Sequence, residues 1–276
     1  MTELTPALVE AVLNCSREAG QAIMEIYRQP EVEITTKADQ SPVTTADLAA
    51  HAVINRALTQ LTPDIPQLSE EAADIPYATR KHWQEYWLID PLDGTKEFIH
   101  RNDEFTVNIA LIRGGKAVLG VVYQPVTDEI YWGIPQQGAW YQQASKSINQ
   151  ISSRKLDSTL NVIGSRRHGQ QQNDALLAPL QALFSIQTTS AGSSLKMCRI
   201  AAGSADFYPR LFPTSEWDTA AAQAVVEGAG GVLVDLKLQP LSYNQKESLL
   251  NPWFLVAGDP EFPFRQLALP EEKSAS

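Results

Sequence analysis

Cysteine is nearly absent from this sequence: Cys15 and Cys198 are the only two in 276 residues. Both sit in apolar, helix-spaced surroundings, which predicts two buried free thiols and no disulfide framework. Long apolar runs are missing as well, and none approaches the roughly 20 residues that a membrane-spanning helix needs. Positive charge is in deficit, with 22 Lys and Arg against 32 Asp and Glu and a net charge of -10. Nucleic-acid polymers and anionic membrane surfaces are therefore poor general partners. Glu3, Glu10, Arg17 and Glu18 interrupt the first apolar residues, the wrong pattern for a signal peptide, and the chain reads as cytoplasmic. Oligomeric state and peripheral attachment to a membrane's cytoplasmic face leave no mark in the sequence. The four histidines (His51, His82, His100 and His168) are scattered without zinc-ligand spacing.

What is present is a folded protein's composition, 43% hydrophobic and 20% charged, in a chain long enough for one large domain or two packed ones. Thr5-Pro6 is a helix start, and apolar residues from Leu8 to Ile26 recur at helical spacing before Pro30. Val32 to Thr35 alternates briefly, a polar loop follows to Pro42, and a second helix is predicted over Thr45 to Leu61. Tyr86 to Ile89 reads as a buried strand that delivers Asp90 at its end. Phe105–Ile112 and Ala117–Tyr123 form a hairpin around Gly114-Gly115, and Ile130–Trp132 and Ala139–Tyr141 continue the sheet.

The polar stretch Gln142 to Arg154 marks a boundary between residues 1–145, which carry most of the acidic motifs, and residues 146–276. In the second half strands are predicted at Asn161–Gly164, Ser185–Thr189, Ala205–Pro209 and Val232–Val234. Helices are predicted at Asp174–Leu183, Ser193–Ala202 and Asp218–Ala229, an alternation that implies an α/β layer.

Four acidic features stand out: Asp47 after Thr44-Thr45, Glu70-Glu71 after Ser69, the pair Asp90 and Asp93, and Asp218 after Trp217. Singly, each has an ordinary structural explanation as a helix-start acid, a solvated loop, a turn or an N-cap. Together they point elsewhere. Asp90 and Asp93 flank Pro91, so they can turn toward one point, where unpaired carboxylates would repel and one would hold a proton. A hard divalent cation removes that conflict, and oxygen-only ligands favour magnesium. Gly94-Thr95 adds a close backbone approach and a hydroxyl, suited to holding phosphate oxygens. These are the parts of metal-assisted phosphate hydrolysis.

Competing chemistries fail on single positions. A covalent phosphatase of the D-x-D-G-T type needs an aspartate where Pro91 stands, and proline forms no aspartyl-phosphate. Gly115-Lys116 is followed by Ala117, so there is no P-loop. Gly192-Ser193-Ser194-Leu195-Lys196 lacks the second glycine of a nucleophile elbow. A non-enzymatic metal- or nucleotide-binding protein stays open, since it would keep the carboxylates without needing Thr95.

Ser69-Glu70-Glu71, Asp90-Pro91-Leu92-Asp93-Gly94-Thr95 and Trp217-Asp218, in that order and spacing, resemble the three signatures of the inositol monophosphatase superfamily. The flanks Lys96-Glu97-Phe98-Ile99, Glu104 to Asn108, Gly192 to Lys196 and Tyr208-Pro209-Arg210 look most similar to its bacterial 3′(2′),5′-bisphosphate nucleotidases. The resemblance implies a layered α-β-α-β-α sandwich shared with fructose-1,6-bisphosphatase. It implies magnesium-dependent, lithium-sensitive hydrolysis of adenosine 3′,5′-bisphosphate, a nucleotide of sulfur metabolism, to AMP and phosphate. Other inositol- or sugar-phosphate activities of the superfamily are the alternative.

The resemblance also assigns roles. Glu70, Asp90 and the Leu92 carbonyl would hold one magnesium, and Asp90, Asp93 and Asp218 a second. Asp47 would reach a third, weaker ion through water. Thr95, supported by Asp47 and with Glu70 close by, would orient the attacking water. Glu70, Leu92, Asp93, Gly94, Thr95 and Asp218 would surround the reacting phosphate. In residues 146–276, Ser193, Ser194, Lys196 and Arg210 would contact the second phosphate. Arg166-Arg167-His168 is a further basic cluster, and Phe207, Tyr208, Phe212 and Trp217 read as core.

Overall fold

The computed structural model describes residues 1–30, 34–36, 42–165 and 170–270. The first half begins with α1 (Pro6–Tyr27), the short ribbon β1 (Ile34–Thr36) and β2 (Pro42–Thr44), and α2 (Thr45–Leu61). Thr5 caps α1 by accepting the Leu8 N–H, with Pro6 at the first helical position. Then come β3 (Gln67–Ser69), α3 (Tyr77–Arg80), β4 (Glu85–Asp93), α4 (Thr95–Ile99), β5 (Thr106–Arg113), β6 (Lys116–Gln124), β7 (Glu129–Ile134), β8 (Gly138–Gln143) and β9 (Asn149–Ile151). These strands make a seven-stranded sheet in the order β3-β4-β5-β6-β7-β8-β9. It is antiparallel except for the β3–β4 pair. Strand β9 lies inside the stretch that reads in the sequence as a connection.

The second half contains β10 (Thr159–Gly164), α5 (Gln170–Leu177), β11 (Ser185–Ser190), α6 (Leu195–Ala201), β12 (Phe207–Arg210), α7 (Glu216–Gly228), β13 (Val232–Asp235) and β14 (Phe254–Ala257). Its five-stranded sheet runs β11-β10-β12-β14-β13. The predicted helix at Asp174–Leu183 is displaced: α5 starts earlier, and a 3₁₀ turn at Ala178–Ala182 around Pro179 follows it, because proline ends α-helical bonding.

Strand alternation sorts the core into layers. Trp87, Ile89, Ile109 and Leu111 pack with Val12, Ile23 and Ile54 of α1 and α2. Tyr86, Leu88, Ala110 and Ile112 face the other way, onto α6 and α7. The far face of the second sheet is covered by Leu176, Leu177 and Leu180. The order is α1/α2, seven-stranded sheet, α6/α7, five-stranded sheet, α5, the five-layer α-β-α-β-α sandwich. Among the described residues no helix is long and apolar enough to cross a membrane. Both cysteines are buried and free, and burial pushes the Cys15 thiol up to about 12.

Helix α7 lies unusually close to the first sheet. Its Ala220, Ala221, Ala222 and Ala224 are buried, and two glycines, Gly120 and Gly133, stand directly opposite each other on β6 and β7 beneath it. A Cβ at Gly120 would overlap the Ala221 carbonyl, and one at Gly133 would lie 2.5 Å from the Ala224 oxygen. Gly120→Ala is therefore expected to destabilise the protein by about 1–3 kcal/mol through overpacking, read as a lower thermal midpoint. An unchanged midpoint would mean that α7 can shift at no cost.

Candidate active site

The carboxylate cluster is assembled from four places in the chain, and β4 supplies its centre. Asp90 pairs with Asn108 of β5, but three residues on, Asp93 pairs with Thr106, only two back. The extra residue is a β-bulge at Pro91-Leu92, a position in a sheet that tolerates proline. The expected strand end at Asp90 is thus corrected: β4 continues through the bulge to Asp93. Glu70 arrives through the parallel pairing of β3, in which Ser69 lies beside Ile89 and so sets Glu70 next to Asp90.

Asp47 and Asp218 are delivered by one device used twice. Each is the third residue of a helix whose N-cap is closed by a reciprocal capping box, Thr44 with Asp47 and Ser215 with Asp218. Asp47 Oδ2 accepts the Thr44 N–H at 2.7 Å and its hydroxyl at 2.6 Å, and Asp218 Oδ2 accepts the Ser215 N–H at 2.9 Å. Asp218 is therefore not the N-cap that the sequence suggests; Ser215 is.

Carboxylate oxygens of Asp90, Asp93 and Asp218 lie within 4.8 Å of one another. Burial, and then the charges of Glu70, Asp93, Asp218 and Asp47, push Asp90 well above the ordinary carboxylate range. Burial and the Asp93 charge do the same to Asp218, against the Ser215 N–H. Burial also raises Asp47, opposed by its bonds from Thr44. Asp90 and Asp218 thus lie among the charges of Glu70, Asp93 and Asp47 in a neighbourhood that resists their ionising. Such an oxygen-only donor set could hold a hard divalent cation, which would remove the penalty.

Asp90 and Asp93 are also each anchored through one oxygen. Asp90 Oδ1 accepts the Leu92 N–H at 3.0 Å. Asp93 Oδ2 accepts the Ser194 N–H at 2.7 Å, the Ser194 hydroxyl at 2.9 Å and the Asn108 amide at 3.4 Å. Beside them the Thr95 hydroxyl lies 3.3 Å from Asp47 Oδ1 and 3.4 Å from the Leu92 carbonyl. Gly94 has φ of +95° and is hemmed in by Glu104 and Ser193, so a side chain there is excluded on both counts. The first-turn amides after it have no intrahelical acceptors.

A cavity of about 230 Å³ opens next to Asp93, Gly94 and Asp218 and extends to Ser165, Lys196 and Arg210. Lys196 is not the solvated charge its helix position allows. It is buried, donates to the Ser193 carbonyl at 2.6 Å and the Ala191 carbonyl at 3.3 Å, and stands 5.4 Å over the Tyr208 ring. Burial lowers its ammonium to about 8, opposed by the Asp93 charge. Arg210 donates to Ser165 Oγ at 3.1 Å, and its buried Nε has no hydrogen-bond partner among the described residues. Ser193 lines the cavity. Ser194, expected at the substrate, is buried with its hydroxyl on Asp93 and the Asp218 carbonyl. Phe207 and Tyr208 are buried as core, with Tyr208 also flooring the cavity. Arg166-Arg167-His168 lies outside the described residues.

Thr106, Asn108 and Glu104 touch this site without having been assigned to it from their chemistry. Glu104 accepts the Gly192 N–H at 2.7 Å. Their signal is visible in retrospect: Thr106 and Asn108, both completely buried, share one face of a strand that is otherwise apolar up to its last residue, Arg113.

The chain is similar to known proteins in sequence and in fold. A model of the inositol monophosphatase family matches residues 3–258. The chain is 50% identical over 252 residues to the 3′(2′),5′-bisphosphate nucleotidase CysQ of Escherichia coli K12, covering 91% of this chain and 99% of that one. The Haemophilus influenzae CysQ is 36% identical over 273 residues, 97% of this chain and 98% of the relative. The crystal structure of CysQ from Bacteroides thetaiotaomicron, 37% identical, superposes with a TM-score of 0.82 over 94% of this chain and 99% of that one. An inositol monophosphatase from Zymomonas mobilis shares the fold at 22% identity, with a TM-score of 0.73 over 94% of this chain and 95% of its own.

Proposed function

The chain belongs to the inositol monophosphatase family, and on that footing we propose that it is a magnesium-dependent phosphomonoesterase that converts adenosine 3′,5′-bisphosphate and water to AMP and phosphate. One observation carries the substrate class: a single cavity is lined both by Asp93 and Asp218 of the carboxylate cluster and by Lys196 and Arg210. A molecule with two phosphates set apart on a ribose spans such a cavity, one at the carboxylates and one at the cations. The nucleotidase relatives support the same reading.

Glu70, Asp90, Asp93, Asp218 and the Leu92 carbonyl would hold magnesium, with Asp47 reaching a further ion through water. Bound there, magnesium supplies charge neutralisation and activation of a water for attack on phosphorus. The chain's own groups do the rest. Thr95 Oγ1 accepts a proton of the attacking water as its own hydrogen turns to Asp47 Oδ1, and Thr44 holds Asp47 in place through Oδ2. The amides after Gly94 cradle the reacting phosphate. Residues 1–145 supply most of the metal site, and residues 146–276 supply Asp218 and the nucleotide-binding cations. The positive charge of Lys196 and Arg210 offsets the repulsion a doubly charged anion meets in an acidic protein.

Phosphate release from adenosine 3′,5′-bisphosphate, inositol 1-phosphate and fructose 1,6-bisphosphate, measured side by side with and without magnesium, tests the assignment. The bisphosphate nucleotide is expected to lead by about tenfold or more in kcat/KM. A lead for inositol 1-phosphate would replace it, and no turnover of any of the three would leave a binding protein. Lys196→Met keeps the apolar stem over Tyr208 and removes the charge. It is expected to raise KM for the bisphosphate by about tenfold or more, the scale of a charge-assisted bond, and KM for 3′-AMP by less than about threefold. Equal effects on both would remove Lys196 from the second-phosphate role.

A further inference from the structure

Strand β5 carries two uncharged polar residues, Thr106 and Asn108, among the apolar Val107, Ile109, Ala110 and Leu111. Both are completely buried, and buried polar groups cost stability unless every bond is made. The ladder sets Asn108 opposite Asp90 and Thr106 opposite Asp93. One side-chain bond joins the two, and the others run toward the turn Ser193-Ser194 and toward Asp93.

The donors and acceptors of this group admit one direction. Thr106 Oγ1 donates to Asn108 Oδ1 at 3.0 Å, so the Asn108 amide points its N–H groups at Ser194 Oγ, 2.9 Å away, and at Asp93 Oδ2. The Thr106 hydroxyl has then spent its one hydrogen, so Ser193 Oγ, at 3.1 Å, is the donor to it. Ser194 receives the Asn108 amide and passes its own hydrogen to Asp93 Oδ2 or the Asp218 carbonyl, each at 2.9 Å. Ser193 stands at φ of +42°, strained for a residue with a side chain. Thr106 holds its hydroxyl and Lys196 its carbonyl.

We propose that Thr106 and Asn108 are positioning residues for the metal site, holding Asp93 through Ser194 so that Oδ2 stays on the protein and Oδ1 alone is presented to a cation. The inference rests on the metal-dependent reading above. It also explains why the sheet tolerates a fully buried threonine and asparagine beside an acidic cluster: they span from the first sheet to the turn of the second half and fix one ligand relative to another. Outer partners of this kind govern affinity by aiming the inner carboxylate.

The test is calorimetric titration of magnesium or manganese into chelator-stripped protein, with folding checked by circular dichroism and metal-free thermal unfolding. Asn108→Leu keeps the branched outline of the side chain and removes the bonds, and it is expected to weaken cation binding by about 10- to 100-fold. Thr106→Val should weaken it by about threefold or more, and Thr106→Ser, which keeps the hydroxyl, should stay within about twofold of the wild type. If Asn108→Leu does not fold, the Thr106 pair decides alone. Wild-type affinity in folded Asn108→Leu and Thr106→Val overturns the inference while leaving the metal site intact. A wild-type protein that binds no cation overturns both.

Discussion

Asp93→Asn is expected to lower kcat/KM for adenosine 3′,5′-bisphosphate by at least about a thousandfold, roughly 4 kcal/mol of transition-state stabilisation, in a protein that still folds. The geometry explains both halves of that result. Three donors converge on Asp93 Oδ2: the Ser194 N–H, the Ser194 hydroxyl and the Asn108 amide. An asparagine can satisfy them only by placing its carbonyl oxygen there. Its NH₂ then takes the place of Oδ1, the oxygen proposed to meet the cation, where it can neither ligate nor tolerate one. The fold keeps its hydrogen bonds and the site loses a ligand and a charge. Steady-state kinetics at saturating magnesium, with circular dichroism beside them, check the prediction. Turnover within tenfold of the wild type would sink the metal-dependent reading, because no rearrangement of this network restores an anionic oxygen.

How far the sequence reaches depends on whether a signal is local. Helix α2 is legible to the residue, Thr45–Leu61, because its cap, Thr44, and its apolar spacing are local in the sequence. The bulge at Pro91 is half legible: proline signals a departure from regular pairing, but its form depends on the register with β5. The approach of Glu70 to Asp90 is not legible from local pattern, since it rests on a parallel pairing of only three residues. Strand β14 is likewise missed; Phe254–Ala257 is a short apolar run whose identity as a strand comes from its neighbours β12 and β13. The N-cap of α7 is misplaced by three residues because Ser215 and Asp218 both offer a cap, and only the Ser215 backbone bond decides. The burial of Lys196 is illegible for a different reason. Spacing on a helix says which way a side chain leaves the axis, not that a second sheet and Tyr208 will close over it.

The same cluster predicts a conflict between activity and stability. In chelator at neutral to alkaline pH, Asp218→Asn is expected to melt at a higher temperature than the wild type, although it should be inactive. Burial and neighbouring charge raise Asp90 and Asp218 above their ordinary value of 3.8 in the folded protein. A carboxyl whose pKa is raised on folding binds more protons folded than unfolded. Its contribution is therefore full below the ordinary value and is lost as pH rises through the folded one. Metal-free wild type should accordingly lose stability as pH climbs from about 4, with each tenfold displacement of a proton equilibrium worth about 1.4 kcal/mol. Asparagine at 218 removes one charge from the repulsion, and its side-chain oxygen can still accept the Ser215 N–H that closes the cap. Saturating magnesium reverses the order, because a cation that binds only the folded state stabilises the wild type and not a variant lacking its ligand. Thermal unfolding across pH, with chelator and then with magnesium, separates the two regimes. A metal-free wild type that grows steadily more stable from pH 5 to 8, and stays above Asp218→Asn throughout, would show that the carboxylates are held apart rather than pressed together for a cation.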